Sequence, residues 1–117
     1  MTQDMKTFDE LGVEPRLLKA IEELGFEHPM PIQEMVIPHL LEKDGDVVGL
    51  AQTGTGKTAA FGLPLLQRID PESDATQALV IAPTRELCLQ IAGDLADFAK
   101  YLDNGKIIPV YGGSSID

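Results

Sequence analysis

The chain has 117 residues, 44% of them hydrophobic, which is enough for one small core, and no apolar run is long enough to cross a bilayer. Nine basic residues against nineteen acidic ones give a formal net charge of −10, which argues against tight, independent nucleic-acid binding by these residues alone, because phosphate neutralisation supplies most of such affinity. The single cysteine, Cys88, excludes an internal disulfide and a cysteine-cluster metal site, and the polar amino terminus lacks the pattern of a secretory signal, so a cytoplasmic location is expected.

Two helical patterns come first. After Val13, Glu14 and Pro15, the residues Leu17, Leu18, Ile21 and Leu24 recur at helical spacing, and Gly25 supplies a stop. Pro15 suits a first helical turn, where its missing N–H does no harm. A second helix is predicted from Pro31, with Ile32, Met35, Val36 and Leu40 on one side and Pro38 imposing a kink or a late start. His28 and His39 have no second ligand at metal-binding spacing and read as surface or core-lining residues.

From Asp46 the pattern changes. Residues 46–51 read as a short buried strand, followed by the glycine-containing turn Gln52 to Gly56 and a helix from Thr58 to about Arg68 with Pro64 inside it. An acidic turn, Asp70 to Asp74, ends that helix. Ala78 to Ala82 is an apolar run suited to a parallel strand covered on both faces. After Thr84, Leu87, Ile91, Leu95 and Phe98 define an amphipathic helix. Lys106 to Tyr111 is a third strand candidate, with Pro109 placing it near an edge or making it irregular. The order predicts an α/β fold with a mostly parallel sheet, incomplete at its last strand. An unpaired edge on such a sheet carries the expectation of self-association.

The segment Ala51-Gln52-Thr53-Gly54-Thr55-Gly56-Lys57-Thr58 matches a phosphate loop, relaxed at its first position by Ala51 in place of glycine. Inward-pointing amides of such a loop and the following helix terminus meet phosphate oxygens. Gly54 and Gly56 permit the close approach, Lys57 reaches the outer phosphates of ATP, and the Thr58 hydroxyl can ligate Mg2+. The competing reading is a Gly/Thr-rich surface turn before an ordinary helix.

Three further segments carry a resemblance. Phe8 followed by Gly25-Phe26-Glu27-His28-Pro29-Met30-Pro31-Ile32-Gln33 resembles the Q motif of DEAD-box RNA helicases, Pro83-Thr84-Arg85-Glu86-Leu87 is similar to their motif Ia, and Gly112-Gly113 falls where they have paired glycines. With the phosphate loop between them, four ordered motifs cover nearly the whole chain. The resemblance implies a three-layer P-loop NTPase (RecA-like) fold, with residues 1–42 as a Q-motif helical region and 43–117 as the first part of the ATP-binding domain. It implies that Gln33 reads the adenine edge, since a carboxamide both donates and accepts, and that Phe26 stacks on the ring. Phe26 as a core residue is the open alternative. Phe8 is expected to brace the motif by contact with its neighbours.

Pro83, Thr84, Arg85, Gly112 and Gly113 would contact RNA. Amide contacts at a helix terminus need few basic side chains, which softens the objection from net charge. Two positions depart from the family pattern. Met30 stands where a small hydroxyl residue is usual, so a bracing hydrogen bond is expected to be missing, and Cys88 replaces a small alanine as a conservative change.

The tetrapeptide that names the family does not occur among these residues. The resemblance therefore implies an ATP- and RNA-binding segment of an RNA-dependent ATPase, expected to bind nucleotide without turning it over. A non-catalytic nucleotide-binding or dimerisation module is the alternative.

Overall fold

A computed structural model describes residues 6–42, 55–102 and 107–110, with only the backbone of Thr55 included. Four helices are formed: α1, Pro15–Glu23; α2, Pro31–Glu42; α3, Thr55–Gln67; and α4, Arg85–Phe98. No strand occurs among the described residues, and the predicted strand at 46–51 lies outside them.

The helices follow from local signals. Pro15 opens α1 at its first position, where no N–H is required. Thr84 opens α4: its side-chain oxygen accepts from Leu87 N at 3.1 Å, satisfying one donor of the first turn. Between α3 and the 78–82 segment, the predicted acidic turn is present. Asp70 Oδ1 accepts from Glu72 N at 3.0 Å, and Gln77 grips both backbone groups of Asp70, accepting from its N at 2.7 Å and donating to its O at 2.9 Å.

One apolar core joins these elements. Phe8, Leu11 and Val13 come from the turn before α1, Leu17 and Ile21 from α1, Ile37 from α2, Leu63 and Leu66 from α3, and Leu95 and Phe98 from α4. Two glutamines add polar ties. Gln67, the last residue of α3, accepts from Glu14 N at 2.9 Å and donates to Gly12 O at 2.9 Å, fastening the entrance of α1. Gly12 has φ +101°, a left-handed conformation that glycine adopts without a Cβ penalty.

Three helix expectations are revised. α2 runs unbroken from Pro31 through Pro38 to Glu42, with no late start. Its inward residues are Gln33, Val36 and Ile37, whereas Met35 faces out, so the buried face is rotated from the apolar stripe. The reason is that Gln33 is drawn in by hydrogen bonds rather than by apolar contact. α3 begins at Thr55, ahead of the predicted Thr58, because the Thr-Gly-Lys run already takes helical turns. Among the described residues no ladder forms at 78–82, where Leu79 is 81% and Ile81 85% exposed, or at 107–110. A strand exists only through a partner, which an apolar run does not itself contain.

A charged latch closes α1 onto the end of α4. Lys100 Nζ lies 2.9 Å from Glu23 Oε1, the Tyr101 hydroxyl bonds Glu23 Oε2, and Lys19 Nζ stands 4.4 Å from the centroid of the Tyr101 ring. The Tyr101 bond and then Lys100 hold the Glu23 carboxyl below its ordinary range, while Glu23 raises both the Tyr101 phenol and the Lys100 amine. The Glu23 contribution is present above the ordinary carboxylate range and is lost as pH falls through its lowered value. The Tyr101 and Lys100 contributions are present below their ordinary values and are lost as pH rises through the raised ones. In a Tyr111→Phe background, phenolate absorbance should therefore report Tyr101 titrating above the ordinary tyrosine value. Glu23→Gln should bring that midpoint back down; an unchanged midpoint would remove the latch.

Candidate functional site

The end of α1 aims the first candidate residue. Gly25, at φ +93°, lets the chain reverse; Gly25 N donates to Glu22 O and Phe26 N to Ile21 O, both at 3.0 Å. This pair of bonds is the αL-terminated helix end in which the residue after glycine folds back on the last turn. Phe26 is thereby set between Phe8, with ring centroids 6.0 Å apart, and Phe98, which it meets edge-on at 5.9 Å and 82°. It is partly buried against the core, so one part of the ring is engaged in packing and another remains accessible.

Gln33 is 1% exposed and makes two backbone bonds. Its Oε1 accepts from Met30 N at 2.8 Å, and its Nε2 donates to Gly56 O, 23 residues away, at 2.9 Å. The first is half of a capping box: a side chain on the first turn of α2 reaches back to the residue that precedes the helix. The reciprocal half needs a hydroxyl at position 30, and Met30 has none. Its thioether instead lies over Gly56, where an added Cβ would collide with Met30 Sδ and come within 3.5 Å of Gln33 Nε2. A side chain at 56 would therefore have to displace the Met30 thioether. Met30 itself remains 52% exposed.

Gly56, Lys57 and Thr58 occupy the first turn of α3, whose backbone starts at Thr55; Ala51, Gln52, Thr53 and Gly54 lie outside the described residues. The amides of this first turn and the helix field suit an anion. Lys57 is half-buried, whereas Thr58 is only 6% exposed and its hydroxyl hydrogen-bonds Asp94 of α4. Burial pushes the Asp94 carboxyl up, the Thr58 bond pulls it down, and Asp97 adds a smaller upward push. Asp94 Oδ2 is enclosed and has no hydrogen-bond partner among the described residues. Neither Asp94 nor Gln67 was singled out by the sequence, because an acidic residue on a helix and a glutamine at its end are ordinary surface choices.

The third group sits at the amino terminus of α4. Pro83, Thr84 and Arg85 are exposed there, with the Thr84 oxygen committed to its helix as the cap. Cys88, half-buried, approaches Val110 O at 3.8 Å. Gly112 and Gly113 lie outside the described residues. Gln33 and the start of α3 are thus brought together, while Phe26 packs between Phe8 and Phe98. Among the described residues no three His, Cys, Asp or Glu side chains cluster to hold a metal ion. A cation at α3 would rest on the Thr58 hydroxyl and on ligands from a phosphate, a donor set that suits Mg2+. No described helix is long and apolar enough to cross a membrane.

With this geometry, comparison with known proteins identifies the class. The DEAD/DEAH box helicase family model matches residues 30–117, and the chain belongs to that family. It is 50% identical over its full length to the ATP-dependent RNA helicase DeaD of Escherichia coli K12, covering 18% of that protein. It is also 50% identical over 113 residues to the DEAD-box ATP-dependent RNA helicase CshA of Bacillus cereus, covering 97% of this chain and 21% of the relative. The chain therefore spans about a fifth of the length of these relatives.

Among solved structures, a DEAD box protein from Methanococcus jannaschii superposes with a TM-score of 0.86 at 38% identity, covering 97% of this chain and 31% of that one. The S. cerevisiae protein Dbp5 bound to RNA and ADP BeF3 gives 0.77 at 43% identity over 82% of this chain and 25% of that one. These likenesses support a RecA-like fold.

Proposed function

We propose that this chain is the ATP- and RNA-binding segment of an ATP-dependent RNA helicase, in which ATP hydrolysis drives duplex unwinding or remodelling of RNA–protein complexes. The observation that carries the reading is the Gln33 bridge to Gly56, which ties the Q segment to the phosphate-loop helix. Adenine and phosphate recognition are thereby joined through one carboxamide.

In this reading Phe26 stacks on adenine and Gln33 reads its edge. Ala51, Gln52, Thr53, Gly54, Thr55, Gly56 and Lys57 hold the phosphates, and Thr58 ligates the Mg2+ that ATP brings. Bound magnesium would neutralise phosphate charge. Since Gln33 is already bonded on both sides, base recognition requires it to exchange or share one of those partners. Pro83, Thr84, Arg85, Gly112 and Gly113 contact the RNA backbone, residues 1–42 act as the Q-motif region, and 46–51, 78–82 and 106–111 enter a parallel sheet as strands. A cytoplasmic location accompanies this reading. Within these 117 residues the assigned activity is nucleotide binding, since no Asp-Glu-Ala-Asp run occurs among them.

Titration with adenosine, ADP and ATP tests it. Tightening from adenosine to ATP is expected in the wild-type chain and should vanish in Lys57→Ala, which removes the lysine of the loop. Equal discrimination in the two proteins would sink the loop assignment.

A further inference from the structure

The Asp94 carboxyl projects from α4 against the first turn of α3, where it meets a hydroxyl expected to serve a cation. α3 and α4 approach closely here: a Cβ added at Gly62, one turn beyond Thr58, would stand 2.6 Å from Leu95 Cδ2. Thr58 is buried at this seam and bonded to Asp94, whose second oxygen is enclosed without a partner among the described residues. Enclosing a carboxylate oxygen is costly, so apolar packing alone does not explain an aspartate at this seam.

We propose that Asp94 is a positioning residue for the nucleotide–magnesium site, holding the Thr58 hydroxyl so that its oxygen is presented to the cation. The inference rests on the nucleotide reading above. A carboxylate only accepts, so the Thr58 hydroxyl must donate its hydrogen to Asp94. That commitment leaves the oxygen lone pairs available to a hard divalent ion. A freely turning hydroxyl would instead spend part of its time directing hydrogen at the ion, or would back-bond to a carbonyl of its own helix. Asp94 thus removes the unproductive rotamers before nucleotide arrives, acting through Thr58 and without touching the phosphates.

The test compares wild type, Asp94→Ala and Asp94→Asn for ADP affinity in EDTA and in Mg2+, with the same pair of measurements in a Thr58→Val background. In Asp94→Ala the tightening produced by Mg2+ should shrink by about tenfold, the scale of one hydrogen bond to a charged group. Asp94→Asn keeps an acceptor for the hydroxyl and should restore most of that tightening. The Asp94→Ala effect should disappear when Thr58 is already valine, since no hydroxyl remains to be held. An equal loss in both buffers, or an undiminished effect in the valine background, overturns the assignment.

A second measurement needs no nucleotide. Three-bond couplings to the Thr58 methyl should report one χ1 rotamer in wild type and averaging in Asp94→Ala; unchanged couplings overturn the inference. If wild type binds no nucleotide in either buffer, the nucleotide reading itself falls, while the couplings still decide whether Asp94 sets the hydroxyl.

Discussion

Gln33→Ala is expected to destabilise the fold by about 2 kcal/mol and to abolish preference for adenine over guanine nucleotides. The two losses have one cause. The substitution strips Met30 N of its acceptor and Gly56 O of its donor, at bonds of 2.8 and 2.9 Å around a side chain that is almost wholly buried. Water can reach Met30, which is half exposed, more readily than the Gly56 carbonyl, so most of the cost falls on the α3 side. Gln33→Glu is a sharper probe. It retains an acceptor for Met30 N but sets a carboxylate against the Gly56 carbonyl, so at neutral pH it should be less stable than Gln33→Ala. Burial raises the pKa of such a carboxyl, and its protonated form can donate to Gly56 O. Stability of Gln33→Glu should therefore recover as pH falls, and denaturant unfolding at several pH values reads this directly. A Gln33→Glu protein as stable as wild type at every pH, with no dependence on protonation, would show that the bridge contributes nothing.

Phe98→Ala should have the larger effect on folding, a loss of about 3–5 kcal/mol, the range for truncating a fully buried aromatic. Phe98 also supports Phe26 through an edge-to-face contact at 5.9 Å. Under conditions where Phe98→Ala is still folded, adenosine affinity should drop as well, because Phe26 loses the ring that fixes its plane. Phe98→Leu refills part of the volume and should recover more stability than nucleobase affinity. Equal recovery of both would mean that Phe26 orientation does not govern base binding.

The sequence revealed most where local chemistry and tertiary demand agree. α1 is legible because Pro15, four apolar residues at helical spacing and Gly25 all mark the same segment; α4 is legible from Thr84 and its apolar face. The joining of Gln33 to the start of α3 is not legible from motif order, which locates residues but carries no distances. The buried face of α2 was misjudged because hydropathy scores Gln33 as polar, while two backbone bonds make its interior position favourable. For the run 78–82 the apolar residues indicate a strand, while its cover and its ladder are properties of other segments. Asp94 was invisible for a related reason: a single aspartate acquires its meaning only when α3 brings Thr58 against it.

The Gln67 clamp bears on the time course of folding. Its bonds to Glu14 and Gly12 span 53 and 55 residues, and closing so long a loop must precede any gain from them. At roughly 10 residues per second, a ribosome would deliver Gln67 several seconds after Gly12. Throughout that interval the turn at Phe8 and the apolar face of α1 have been synthesised ahead of the α3 and α4 residues that cover them. The first described helix is therefore among the last to be secured.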